Sequence, residues 1–254
     1  MRTTILLLSF LFGLIFQANA QGLIVTYEET RTLPSLAGLN QITDPQMRAS
    51  IERQLREHNA PRSFQLFVND GSSVYRSKEP QRTSTRSGII NIRRHDASTH
   101  TVYKNHDSQL VLARATLGNR EHLVEEPHAT LEWTIGTERR EISGFQCIIA
   151  TATMANGRPV TAWFTPDIPV SAGPYLFWGL PGLILYVNIN NGQRVISATS
   201  IEQTNDVLEI YMPDGERISR AEFNRMTEQL RQRALDGSER EEGEGGVIIR
   251  TTTM

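Results

Sequence analysis

The chain has 254 residues, 26 Lys and Arg against 28 Asp and Glu, a formal charge of −2 and one cysteine. That balance lacks the clustered basic surface that a phosphate backbone demands, so no nucleic-acid partner is expected. A lone cysteine, Cys147, also excludes an internal disulfide and leaves packing to hold the fold.

Residues 1–20, MRTTILLLSFLFGLIFQANA, carry one early basic residue, Arg2, then an apolar run from Ile5 to Phe16 and a small-x-small ending at Ala18-Asn19-Ala20. This is the pattern of a secretory signal peptide cut after Ala20. The run falls short of the ~20 residues that span a bilayer, and no later stretch is long enough, so no transmembrane span is expected. The expected location is the periplasm or the extracellular space.

In GLIVTYEETRTL, residues 22–33, Leu23, Val25 and Tyr27 alternate as on a strand. Asp44 and Pro45 then form a helix start, and Met47, Ile51 and Leu55 give a narrow apolar stripe over residues 45–57. Strand character returns with Phe64, Leu66 and Val68, a turn at Asp70-Gly71 and a return from Val74. The polar run 79–88 reads as a loop. GIINIRR, HTVYKNH, SQLVLARATLG and ATLEWTIG follow as short strand candidates. Runs of this kind without intervening helices indicate an antiparallel meander.

The strand FQCIIATATM places Cys147 where a free cysteine is ordinarily buried. Asn156-Gly157 and Asn191-Gly192 mark two hairpins. Ser219 and Glu222 have capping-box spacing ahead of Phe223, Met226, Leu230 and Ala234, which predicts a helix over 219–235. The Gly- and Glu-rich residues 236–254 read as a flexible tail. Residues 21–235 therefore form one β-rich domain, a strongly curved antiparallel sheet, open or half-barrel, with one or two covering helices.

No G-x-S-x-G nucleophile elbow and no H-E-x-x-H zinc motif are present. His95, His100 and His106 fall in one region and are the weak candidates for a metal site. GPYLFWGLPGLIL, residues 173–185, is not a phosphate loop, because no Lys-Ser/Thr pair and no helix follow its glycines. Gly173, Pro174, Gly179, Pro181 and Gly182 instead specify a rigid turn. Around it stand Trp163, Phe164, Tyr175, Phe177 and Trp178, with Asp167 in the same loop region, which together could wall a pocket or a docking patch.

WTIG at 133–136, EISGFQC at 141–147, NGRPVTAWFTPDIP at 156–169, GPYLFWGLPGLIL at 173–185 and SIE at 200–202 occur in an order that closely resembles the GLPGLI family of exported Bacteroidota proteins. The hexapeptide at Gly179–Ile184 is the motif that names the family, and the likeness spans roughly residues 22–205. Leu176 stands where members often carry a basic residue, and Ile148-Ile149 where they are Lys-rich. The resemblance implies an envelope protein and carries no activity with it. The functional expectation is a non-enzymatic binding or accessory protein, holding an apolar small ligand or docking an envelope partner, with no cofactor. The alternatives are a metal-assisted hydrolase using Asp167 with His95, His100 or His106, or another envelope enzyme, and a purely structural role.

Overall fold

The computed structural model describes residues 22–32, 44–69, 71–78, 101–118, 120–127, 131–206 and 208–241. The leader, the strand candidate GIINIRR and residues 242–254 lie outside them. Strand β1 (Gly22–Arg31) is followed by helix α1 (Pro45–Asn59) and a meander of β2 (Arg62–Asn69), β3 (Ser72–Ser77), β4 (Thr101–Asn105), β5 (Leu110–Leu117) and β6 (Arg120–Glu125). A second meander holds β7 (Thr134–Ile142), β8 (Phe145–Thr153), β9 (Pro159–Thr165), β10 (Leu183–Ile189) and β11 (Arg194–Thr204). Strand β12 (Arg217–Ser219) and helix α2 (Arg220–Glu241) complete the chain.

All twelve strands form one sheet, in the order β12-β6-β5-β4-β3-β2-β1-β11-β10-β9-β8-β7. Strand β1 is the seam between the meanders, pairing with β2 on one side and β11 on the other. The pairing is antiparallel throughout except at the edge, where β12 lies parallel to β6. The sheet is mainly β with two helices and is not closed.

Its curvature follows from chain length. Strands β6 and β7 stand ten places apart in the sheet, which is about 48 Å if flat. The connector from Glu125 to Thr134 can span only about 32 Å fully extended, so the sheet must curl to bring its two ends toward each other. A row of directly opposed side chains lines the inner face of the first half: Val25, Leu66, Tyr75, Val102, Ala113 and Val124, all fully buried. In the second half Ile196, Val187, Ala162 and Ala150 form the corresponding row. Burial of the larger members is worth about 1.5–3 kcal/mol each.

Helix α1 packs against β1 in the middle of the sheet and α2 against β12 and β6 at its edge. The Asp44 carboxylate caps α1, accepting the Gln46 and Met47 amides at 2.8 and 3.4 Å, and α1 buries Ile51 while Met47 remains exposed. The Ser219 hydroxyl accepts the Glu222 amide at 3.1 Å, and Phe223 and Met226 pack on Ala115, Val124 and Ile218. Helix α2 runs to Glu241, past the end expected at residue 235. The Glu- and Arg-rich continuation keeps enough helix propensity to carry Gly237, whose penalty is only about 1 kcal/mol.

Candidate functional site

Residues 166–182 connect β9 to its neighbour β10, and instead of a tight hairpin they turn onto the inner face of the sheet. The segment is laced to itself and to β10. Val170 and Ala172 amides donate to the Ile168 and Val170 carbonyls, both at 2.8 Å, and the Leu183 and Ile184 amides donate to Ile168 and Ala172 at 3.0 and 2.9 Å. A turn closes with the Phe177 amide on the Pro174 carbonyl at 3.0 Å, holding Tyr175 at a φ of 53°. Two glycines are dictated by close approach. A Cβ on Gly182, whose φ is 153°, would fall 2.1 Å from the Thr165 carbonyl oxygen. One on Gly173 would fall 2.8 Å from both the Ile184 Cβ and the Phe177 carbonyl oxygen. Pro174 is buried, whereas Gly179 and Pro181 are exposed at the outer bend.

Polar side chains from both halves of the sheet fasten this plug. Lys104 on β4 is fully buried and its Nζ donates to the Gly173 and Phe177 carbonyls at 2.8 and 3.2 Å. In a flat sheet β4 and β10 would be about 24 Å apart, yet Lys104 bonds Gly173, the residue after the one bonded to β10. Burial draws the Lys104 amine down to about 7. Trp133 donates its Nε1–H to the Trp178 carbonyl at 2.9 Å. The Arg194 guanidinium lies 4.2 Å from the Tyr175 ring centroid and donates to the Glu29 carboxylate at 2.8 Å, which also accepts from Arg31 at 2.5 Å. Burial pushes the Glu29 carboxyl up, but Arg194 and Arg31 outweigh it and hold it below the usual range.

Above the plug, where the two ends of the curled sheet approach without pairing, lies a groove of about 790 Å³. Leu176, Phe177 and Trp178 form its floor. One wall comes from Val111 and from Glu126 and Pro127 after β6, and the other from the β8–β9 hairpin and the start of β7. A volume of this size is in the range of sites for small organic ligands.

The aromatic residues singled out in the sequence are distributed over two faces. Phe177 is buried beneath the groove and Trp178 half-buried beside it, and Tyr175 sits 6.3 Å from Phe177, ring to ring, on the Arg194 side. Phe164 is buried, with its ring against Gly182. Trp163 pairs with Tyr186 across β9 and β10 on the opposite face, where Arg140 lies 4.5 and 4.3 Å from the two ring centroids. Adjacent strand residues point to opposite faces, so Trp163 and Phe164 cannot share a pocket. Asp167 is exposed beyond the end of β9. His106 packs edge-on against Trp178 with ring centroids 5.3 Å apart, and burial, then Lys104, draws its imidazole downward. His95 and His100 lie outside the described residues. Among the described residues no three His, Cys, Asp or Glu side chains are grouped to hold a metal. Cys147 is buried, and burial raises its thiol to about 11.

Three residues of the site carry no motif, Lys104, Glu29 and Arg194, while Trp133 opens the WTIG element without having been singled out for the site. Strand phase could have found two of them. Glu29 continues the inward series Leu23, Val25, Tyr27, and Lys104 follows Val102 in the same way. A charged residue in an inward phase must have a partner.

These features define a curled-sheet β protein whose interior is filled by one of its own connections and whose open seam holds a groove. Residues 153–186, the span that runs from the end of β8 through the plug, match the model of a family described as a protein of unknown function, Porph_ging. Comparison with curated proteins finds no match. Among solved structures the chain is similar to PNGF-II, in two crystal forms, each with a TM-score of 0.50 and 17% identity over 82% of this chain. The match covers 33% of PNGF-II, so this chain spans about a third of that length, and the likeness is one of fold alone. An uncharacterised conserved protein from Thermus thermophilus aligns with a TM-score of 0.38 and 7% identity, over 80% of this chain and 92% of that one.

Proposed function

We propose that this chain is an exported, non-enzymatic binding protein of the cell envelope, a member of the GLPGLI family, that holds a small ligand with a large apolar part in the seam groove. The observation that carries the reading is the groove itself: about 790 Å³, floored by Leu176, Phe177 and Trp178 of a plug that glycine contacts and Lys104 hold rigid. A pre-formed site of this kind spends little binding energy on ordering itself. The leader MRTTILLLSFLFGLIFQANA supports export. The aromatic motif residues then have a division of labour, with Tyr175 locking the plug to Arg194, Phe177 packing the plug into the core and Trp178 meeting the ligand.

Native mass spectrometry of the protein recovered from its own envelope tests this. The expected result is a chain beginning at Gln21 and carrying a small-molecule adduct that the Thr153→Trp variant, with a bulky ring in the groove, loses. An adduct retained by that variant, or none in either protein, overturns the reading.

A further inference from the structure

The groove's charge pattern specifies the head group of what it takes, and this inference rests on the groove being the binding site. Among the described residues its charged lining consists of two carboxylates, Glu126 and Glu132, with no Lys, Arg or His. Glu126 is neutralised from behind, since both of its carboxylate oxygens accept from Arg220, through Nε at 2.9 Å and through Nη2. Glu132 is exposed at the rim and has no cationic partner among the described residues, so the mouth carries one uncompensated negative charge. Lys104 does not offset it. Its amine lies under the floor and is engaged by the Gly173 and Phe177 carbonyls.

The rest of the lining agrees with that sign. Trp178, half-buried at the groove, carries an indole ring whose negative faces attract cations. Thr134, Thr151, Thr153 and Thr161 add hydroxyl oxygens and no charge. An anionic head would meet a carboxylate and no counter-charge. We infer that the groove selects an amphiphile with a cationic ammonium head, its apolar chain on Leu131, Met154 and Leu176 and its head between Trp178 and Glu132.

Calorimetric titration of the full chain with three eight-carbon probes below micellar concentration tests the selection: octyltrimethylammonium, octyl glucoside and octyl sulfate. The ammonium probe should bind at a single saturable site at least about tenfold more tightly than the sulfate. Glu132→Gln should weaken the ammonium probe by about two- to fivefold, the worth of one exposed charge, and leave the glucoside unchanged. Glu202→Gln, an exposed carboxylate on β11 away from the groove, should change nothing. Equal or tighter sulfate binding, or an effect of Glu202→Gln as large as that of Glu132→Gln, overturns the head-group assignment while leaving the groove as a binding site. If no probe binds, the binding site itself falls, and the assignment with it.

Discussion

Strands β2 to β6 cover the inner face with their own side chains, while β9 and β10 leave part of that task to the segment between them. In the first meander the interior is built from side-chain volume: Phe64, Leu66 and Val68 on β2, Tyr75 on β3, Val102 on β4. In the second it is built from backbone placement. The plug brings main chain against main chain at Gly182 and Gly173, and its carbonyls are answered by Lys104 and Trp133. The first kind of interior tolerates a lost methylene at a graded loss of stability. The second permits almost no change of shape at its contact points, because backbone cannot choose another rotamer.

Gly182→Ala should therefore be the most damaging small substitution in the molecule. It adds one carbon, yet that carbon would sit 2.1 Å from the Thr165 carbonyl oxygen at a φ of 153°. The expected loss is about 4 kcal/mol or more, measured by denaturant unfolding. Leu66→Ala removes three carbons from a fully buried site in the first meander and should lose about 3 kcal/mol. If Gly182→Ala proved the milder of the two, the contrast between the halves would not hold.

The same contrast governs how much was legible beforehand. Alternation gave away β1 and β2, because each presents one face to the core and the other outward, and the Asn-Gly turns gave away the two hairpins. It failed at β6, where His122, Leu123 and Val124 are buried in succession. Leu123 is covered on the outer face by the chain near Gly215, so no period of two survives there. It failed again at β7, whose residues are nearly all exposed and whose register shifts between Ile135 and Arg139. The rigid turn at Gly173 to Gly182 could be read from its prolines and glycines. Its direction could not, since turning inward depends on a sheet curl set by strand number and by the short β6–β7 connector.

Lys104 offers a smaller effect that isolates the link between the halves. Burial lowers its amine to about 7 in the folded state, against about 10.5 when unfolded. Between those values the unfolded chain binds the proton that the folded chain has released, so stability rises with pH across the window, by up to ~1.4 kcal/mol per pH unit. Below about 7 the penalty for burying the charge is present in full. His106, the ionisable group beside it, is also drawn downward and stays neutral over this range. Lys104→Met keeps the packed stem and removes the proton, so its unfolding midpoint should lose that slope between pH 7 and 10. Identical slopes in the two proteins would show that the amine does not titrate with folding.

The smallest effect belongs to the margin, where neither kind of interior is at stake. Ser219 accepts the Glu222 amide at 3.1 Å and so satisfies one of the unpaired donors at the start of α2. Ser219→Ala should lower stability by about 1 kcal/mol. Among the described side chains of α2, Phe223 and Met226 of the first turns reach the sheet, and Leu230 is already exposed. The loss should therefore appear as faster amide exchange in α2, with exchange in β9, β10 and the plug unchanged. Faster exchange in the plug as well would mean that α2 supports it through Arg220 and Glu126, and the marginal role given to the helix would have to be abandoned.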